Sequence, residues 1–190
     1  MDKPVLILDY SVDRRSGENI SRWFDGSTDV RQVPSEKPFP RIDPRRYRAV
    51  VHSGSALSIN DDHPFLAGGE EFVSSCCAMG VPQMGICYGH QLIARAILGK
   101  DAVSRCPSPE VGWITVRFLP EWPVDGLSGR ELAVWQSHYD RVDRIPRGSV
   151  VTATNAHTDI QAFFNRELKL FGTQFHPEFD RESGNECFSN

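Results

Sequence analysis

The sequence predicts an α/β protein with an open, mostly parallel β-sheet that is flanked by helices. One observation is the apolar run PVLILD at residues 4–9, which is typical of a strand buried on both faces. Another is the alternation of such runs with helical patterns in the first half of the chain, because this order produces parallel sheets. A third is the succession of strand patterns from residue 112 onward, which predicts some antiparallel strands before the chain returns to the central sheet.

The helices of the first half carry signals for their ends. The helix predicted at residues 16–24 has Ser16 as its N-cap and places Trp23 on its apolar face. The helix predicted at residues 64–79 ends just before Gly80, and glycine commonly follows a helix. The remaining predicted elements are strands at 29–34, 47–54 and 81–87, a helix at 90–99, and strands at 112–118, 132–138, 149–155, 160–165 and 170–176.

Length and composition narrow the class of protein. A chain of 190 residues suits one hydrophobic core, so we expect residues 1–190 to form a single domain. The net charge is -4 and the 21 Lys and Arg residues are scattered, which excludes the basic surface of a nucleic-acid binder. No apolar run approaches the ~20 residues that span a bilayer, and the first residues lack a signal-peptide pattern. We therefore expect a cytoplasmic protein without a membrane or nucleic-acid partner.

The five cysteines lack the spacing of a disulfide framework or a zinc site. Their number is odd and no Cys-x-x-Cys occurs, so we interpret them as reduced thiols in a cytoplasmic protein. A bound metal is therefore not expected.

One cysteine lies in a nucleophile-elbow pattern within the segment GICYGHQ, residues 85–91. Gly85-Ile86-Cys87-Tyr88-Gly89 fits G-x-C-x-G, the thiol form of G-x-S-x-G, between a predicted strand and a predicted helix. Small residues on either side let the strand and the helix pack closely around a strained turn. The helix N-terminus favours the thiolate, and backbone N–H groups there can receive an oxyanion. The alternative is a buried cysteine with a structural role, which is common.

The segment QFHPE, residues 174–178, offers two partners for such a nucleophile. His176 follows a predicted strand and can act as a general base, and Glu178 can orient its imidazole ring. Both segments lie at the predicted C-terminal ends of strands, where open α/β sheets place their sites. Cys87, His176 and Glu178 are therefore the candidate nucleophile, base and orienting group.

GICYGHQ and QFHPE resemble the two signatures of the class I, or triad, glutamine amidotransferases, and the resemblance covers nearly the whole chain. It implies a flavodoxin-like glutaminase domain that acts on a small γ-glutamyl substrate. In it, Cys87 attacks the γ-glutamyl carbonyl, His176 serves as base and then as acid, and Glu178 orients His176. The resemblance also implies that no metal or organic cofactor is required.

The resemblance extends to residues around the substrate. It implies that the backbone N–H groups of Gly54, in HSGS, and of Tyr88 stabilise the oxyanion. It also implies that Gln91 helps to hold the γ-glutamyl group. The segment WQSHYD matches one that lines the glutamine pocket, which adds to the substrate-binding candidates Ser137, His138 and Tyr139.

Two positions near this pocket need a structure to interpret them. Tyr139 stands where the GMP synthetase branch of the family has glycine, so the mouth of the pocket is expected to differ. Glu110 belongs to PEVGW, which resembles a Glu-x-Gly turn of the same branch, and it is either structural or faces the substrate.

The leaving amine of the implied reaction is left open. If it is ammonia, the chain is a glutaminase that supplies a separate synthetase or synthase chain, because the sequence has no Walker loop of its own. If the amine is larger, the chain is a stand-alone γ-glutamyl hydrolase or peptidase that acts on a γ-glutamyl conjugate. A third alternative is a non-catalytic regulatory module.

The C-terminal segment predicts an interaction surface. Residues 179–190 are polar and interrupted by glycine, whereas the family continues at this point into a helix that covers the sheet. We therefore expect one face of the sheet to be under-covered, which favours contact with a partner chain or formation of a homodimer.

Overall fold

The structure, a computed structural model, describes residues 2–186. The strands are β1 (Val5–Asp9), β2 (Thr28–Gln32), β3 (Ala49–His52), β4 (Gln83–Ile86), β5 (Val103–Phe118), β6 (Glu131–Val142), β7 (Val150–Thr154), β8 (Ala162–Asn165) and β9 (Leu170–Thr173). The helices are α1 (Ser16–Ser21), α2 (Leu66–Ala78), α3 (Tyr88–Leu98) and α4 (Arg181–Glu186), with short 3₁₀ turns at Pro44–Arg46 and Lys100–Ala102. Within this described part of the chain, no helix has the length and apolar composition that crossing a membrane requires.

The predicted α/β fold, with antiparallel strands added in the second half, is confirmed. All nine strands form one sheet in the order β2-β1-β3-β4-β9-β8-β7-β5-β6. The first five strands in this order are parallel, and β9 returns to the centre of the sheet beside β4. The other four strands pair antiparallel with their neighbours. The carboxyl ends of the parallel strands therefore share one edge, the place where α/β sheets hold their sites.

Alternate residues of β1 explain why the sheet is buried on both faces. Leu6 and Leu8 belong to the larger apolar cluster, which includes residues of α2 and α3. Val5 and Ile7 belong to a second cluster, in which Ile20 of α1 packs on the opposite face. All residues of the strand are buried, as the continuous apolar run predicts.

Strands β5 and β6 are longer than the predicted strands at 112–118 and 132–138, and together they form a hairpin. They pair along nearly their full lengths, with an irregularity between Arg105 and Glu110. Two prolines in this interval, Pro107 and Pro109, hide the strand pattern because proline is confined to edges and bulges of sheets. Trp135 of β6 also forms an isolated bridge with the segment after β9. The hairpin therefore lies against the carboxyl edge of the parallel strands.

The prediction for the first helix is wrong in two respects. The N-cap of α1 is Arg15 rather than Ser16, and no side chain caps the helix from that position. Asp9, at the end of β1, takes over this role because its Oδ2 accepts a hydrogen bond from the Gly17 N–H at 2.9 Å. The helix has only 6 residues, so Trp23 lies beyond its end and is 64% exposed.

The C-terminal prediction is tested only in part. Residues 179 and 180 lead into the short helix α4, whose Asn185 Oδ1 accepts a hydrogen bond from Trp113 Nε1 of the hairpin at 2.9 Å. Residues 187–190, which this prediction also covers, lie outside the described residues. On the α1 face, an open groove of about 270 Å³ has a largely apolar lining that includes Trp23 and Met84. Contact of this face with a partner chain or a second copy stays a prediction.

Candidate active site

Cys87 occupies the sharp turn between β4 and α3. Its backbone has φ 49° and ψ -101°, a strained conformation for a residue with a side chain. A Cβ on Gly85 would collide with the backbone of Gly89, and a Cβ on Gly89 would collide with the carbonyl of His52. Glycine at both positions therefore permits the close approach of strand and helix. The Cys87 N–H donates to the Thr173 carbonyl at 2.8 Å, which ties the turn to the end of β9.

His176 and Glu178 lie beside Cys87, on the segment that follows β9. His176 Nδ1 is hydrogen-bonded to Glu178 Oε1 at 2.8 Å, and the imidazole also pairs with the Cys87 side chain. Burial alone would lower the pKa of His176, but the Glu178 carboxylate and Cys87 together raise it well above its usual value. The ring therefore lies between a carboxylate and the Cys87 sulfur, and both neighbours favour its protonated form.

The two candidate oxyanion donors both lie next to Cys87. A Cβ built on Gly54 would lie 2.7 Å from His176 Cε1 and 3.5 Å from Cys87 Cβ, so this loop touches both side chains. Tyr88 is the first residue of α3, where a backbone N–H has no partner within the helix. The Tyr88 ring is buried, with its centroid 5.5 Å from that of Tyr10, which fixes the start of the helix. Such an arrangement can stabilise negative charge on an oxygen atom beside Cys87.

A cavity of about 340 Å³, here called the first cavity, opens at Cys87. All four of the substrate-binding candidates predicted from the sequence line it, namely Gln91, Ser137, His138 and Tyr139. Further lining residues are Ser55, Ala56, Leu57, Ser58, Asp61, Arg105 and Asp140. Cys87 Sγ lies 3.7 Å from the carbonyl oxygen of Ser137, so the thiol faces the edge of β6. The size of this cavity suits a small ligand.

Gln91 and His138 have most of their polar atoms engaged within the protein. Gln91 Nε2 donates to the Asp140 carbonyl at 2.8 Å and to Gln174 Oε1 at 3.2 Å, which directs the amide plane and leaves its oxygen for a ligand. His138 is 2% exposed, and its ring nitrogens lie 3.0 Å from the Asp140 carbonyl and 3.0 Å from Glu110 Oε2. We therefore expect Gln91 to contact the substrate directly and His138 to position the cavity wall.

The surroundings of Glu110 identify it as structural. Its carboxylate is buried and accepts hydrogen bonds from His138, Asn155, Thr158 and Gln161. Burial alone would raise the pKa of Glu110, but the hydrogen bonds from His138, Thr158 and Asn155 lower it to about 2. This carboxylate joins the hairpin to the β7–β8 connection behind the wall of the first cavity.

The sequence reasoning missed Arg105, a cationic residue of the first cavity. Its guanidinium carbon lies 5.6 Å from the centroid of the Tyr139 ring, and its Nη1 lies 3.6 Å from Asp140 Oδ1. Asp140 is 4% exposed, whereas Tyr139 is 54% exposed at the cavity mouth. No sequence spacing links these residues, because the irregularity after Arg105 shifts the pairing of β5 with β6.

A second cavity, of about 510 Å³, lies on the His176 side of the site. It meets the first cavity at three shared lining residues, Ser55, Ala56 and Ser137. Its other walls include Val12, Asp13, Val111, Trp135 and Phe179. No sequence pattern indicates this cavity, because its walls come from segments that are far apart in the chain.

The fold and the site define a protein with a cysteine at a strand-to-helix turn and a histidine–glutamate pair beside it. The chain belongs to the class I glutamine amidotransferase family, because residues 19–190 match the family model described as "Glutamine amidotransferase class-I". The resemblance inferred from GICYGHQ and QFHPE is thereby confirmed.

Curated relatives and solved structures agree with this assignment. The chain is 32% identical over 163 residues to a subunit of glutamine-hydrolyzing GMP synthase from Saccharolobus solfataricus, covering 85% of this chain and 83% of that protein. It is 37% identical over 177 residues to the glutamine-hydrolyzing GMP synthase of Parafrankia sp., covering 92% of this chain but only 31% of that longer protein. The crystal structure of a glutamine amido transferase from Methylobacillus flagellatus superposes with a TM-score of 0.79 at 25% identity, covering 100% of this chain and 76% of that one.

Proposed function

We propose that this chain hydrolyses the side-chain amide of glutamine to glutamate and ammonia, and that the ammonia passes to a separate synthetase or synthase chain. The observation that carries the proposal is the hydrogen-bonded row Cys87–His176–Glu178 beside a cavity of about 340 Å³. The relatives that are named as one subunit of GMP synthase support a separate partner chain. We further propose that residues 1–190 act as one glutaminase domain and that the protein is cytoplasmic.

The proposed reaction proceeds by acyl transfer to Cys87. With its thiol proton transferred to His176, the Cys87 sulfur attacks the γ-carbonyl carbon, while the N–H groups of Gly54 and Tyr88 stabilise the oxyanion. His176 donates a proton to the departing nitrogen, the C–N bond breaks, and ammonia leaves behind a γ-glutamyl thioester. Water then attacks the thioester, His176 accepts a proton from it, and the C–S bond breaks to release glutamate. Glu178 orients the imidazole and stabilises its charged form.

The charges of the first cavity match the two ends of the glutamine zwitterion. We propose that Arg105, held by Tyr139 and Asp140, binds the α-carboxylate, because a guanidinium pairs well with a planar carboxylate. Asp61, which lines the same cavity, is the proposed partner of the α-ammonium group. The Gln91 oxygen faces the γ-glutamyl chain, and Ser137 borders it from β6.

A second candidate function is stand-alone hydrolysis of a γ-glutamyl conjugate whose leaving amine is larger than ammonia. The second cavity favours this candidate, because it offers about 510 Å³ on the side of His176, the group that protonates the leaving amine.

The experiment that tests the proposal measures glutamate release by the purified chain. Three proteins are compared, namely wild type, Cys87→Ala and Cys77→Ala. Each is assayed with glutamine and, in parallel, with a γ-glutamyl amide of a larger amine. Cys77 is a matched control, because it is another free cysteine, on α2. Labelling of Cys87 by the glutamine analogue 6-diazo-5-oxo-L-norleucine reports whether the site is competent without a partner chain.

The outcomes separate the candidates. Release mainly from glutamine that requires Cys87 and survives Cys77→Ala supports the glutaminase. Release mainly from the larger amide supports the stand-alone hydrolase. No release together with specific labelling of Cys87 supports a glutaminase that needs its partner chain. No release and no labelling contradict both enzymes and leave the non-catalytic regulatory module.

A further inference from the structure

The candidate nucleophile and the candidate acid lie on different cavities. Cys87 lines the first cavity and His176 lines the second, and the two spaces meet at Ser55, Ala56 and Ser137. Gly54 approaches both candidate side chains where these cavities meet, because a Cβ there would be 2.7 Å from His176 Cε1 and 3.5 Å from Cys87 Cβ. A substrate that reacts with both groups therefore spans the junction of the two cavities.

The chemistry of the reaction assigns each end of such a substrate to one of the two cavities. The γ-glutamyl part lies in the first cavity, with its carbonyl carbon at Cys87 Sγ. When the C–N bond breaks, the nitrogen takes its proton from His176, so this nitrogen faces the histidine. Any substituent on the nitrogen points away from the acyl group and extends into the second cavity. After the step, the substituent leaves as a free primary amine and the acyl group remains as a thioester on Cys87.

The size and lining of the second cavity indicate what such a substituent is. The second cavity is larger than the first, about 510 Å³ against about 340 Å³, so it has room for a leaving group larger than ammonia. Val12 and Val111 are 62% and 49% exposed at this surface, Phe179 lines the same space, and Trp135 lies beneath it with 3% of its surface exposed. Asp13 on the same wall disfavours a negatively charged substituent.

We propose that the second cavity is a subsite for the leaving group, and that it accepts a primary amine with an uncharged alkyl or aryl substituent. This inference rests on the proposed transfer of a γ-glutamyl group to Cys87. It assigns to the chain an activity on N-substituted γ-glutamyl amides in addition to glutamine. Val12 and Val111, on two separate walls, are the residues that set the accepted substituent.

The test compares L-glutamine with γ-L-glutamylbenzylamide, because benzylamine and ammonia have nearly the same basicity and differ in the apolar ring. The ratio of kcat/KM for the benzylamide to kcat/KM for glutamine is measured in wild type, Val111→Arg and Val12→Arg. The matched control is Val150→Arg, since Val150 is another exposed strand valine and lies on β7. Thioester formation on Cys87 is followed by intact-protein mass spectrometry under single-turnover conditions.

We expect the wild type to cleave the benzylamide at least as efficiently as glutamine. Val111→Arg and Val12→Arg each lower the ratio at least tenfold, and Val150→Arg leaves it unchanged. The inference is overturned if the wild type forms the thioester from glutamine but not from the benzylamide, or if neither cavity variant changes the ratio. A wild type that forms no thioester from either substrate contradicts the proposed function itself, which distinguishes the two failures.

Discussion

Gly54→Ala is expected to reduce kcat/KM for glutamine about 100-fold while leaving the chain folded. The added methyl group would lie 2.7 Å from His176 Cε1, whereas carbon atoms in contact are normally about 3.5–4.0 Å apart. The imidazole therefore has to shift by close to 1 Å, and a misplacement of about 1 Å costs catalysis on the order of 100-fold. The backbone N–H of residue 54 is retained, so the loss reports the position of His176 rather than a missing oxyanion donor.

The assay for Gly54→Ala is steady-state glutamate release beside urea denaturation. Overpacking of this kind lowers the free energy of unfolding by about 1–3 kcal/mol. Gly68→Ala is the matched control, because its Cβ would lie 2.6 Å from Phe39 Cβ, a comparable clash on α2. The control is expected to lose similar stability and to keep its activity. The reasoning is refuted if Gly54→Ala retains activity within threefold of wild type, or if Gly68→Ala loses as much activity.

Three charged residues around the site give further predictions. Glu178→Gln moves the alkaline limb of the kcat/KM–pH profile to lower pH, because Glu178 helps to raise the pKa of His176 and the imidazolium is then lost sooner. Glu110→Gln lowers the free energy of unfolding at pH 7 by about 3 kcal/mol, measured by urea denaturation. Its difference from wild type narrows as pH falls from 4.5 toward about 2, because Glu110 takes up a proton in the unfolded wild type over that range while the folded carboxylate stays charged. Arg105→Gln raises KM for glutamine about tenfold with little change in kcat, because it removes the charged partner of the α-carboxylate.

Each of these three has a contradicting result. An alkaline limb that stays in place in Glu178→Gln would mean that the carboxylate does not control His176. Equal stability of Glu110→Gln and wild type at pH 7 would contradict the structural role of the buried carboxylate. A fall in kcat with unchanged KM in Arg105→Gln would place Arg105 in the chemical step rather than in binding.

The parallel half of the fold and the core of the site could be predicted from local patterns. The strand, turn and helix around Cys87 follow from glycine spacing, because only glycine avoids the collisions at residues 85 and 89. His176 and Glu178 are close in sequence as well as in space, so one short segment contains both. The position of each segment at a strand end was enough to bring them to one edge of the sheet.

The parts that could not be predicted depend on contacts between distant segments. Asp9 replaces Ser16 at the start of α1 because the end of β1 passes beside that helix, a contact that no local pattern reveals. Glu110 can be identified as structural only in the folded chain. There, Thr158 and Gln161, which are far away in the sequence, donate hydrogen bonds to its carboxylate. The second cavity is missed for the same reason.

The β6 strand restricts where the chain can gain or lose residues. Gln136, His138 and Asp140 are buried, whereas the intervening Ser137 and Tyr139 are exposed. One insertion or deletion within this stretch would exchange the two sets, because side chains alternate along a strand. The partner strand differs, since residues 106–109 lie opposite Tyr139 alone and already accommodate extra length. Among relatives, we therefore expect length differences to occur at 106–109 and β6 to keep a constant number of residues.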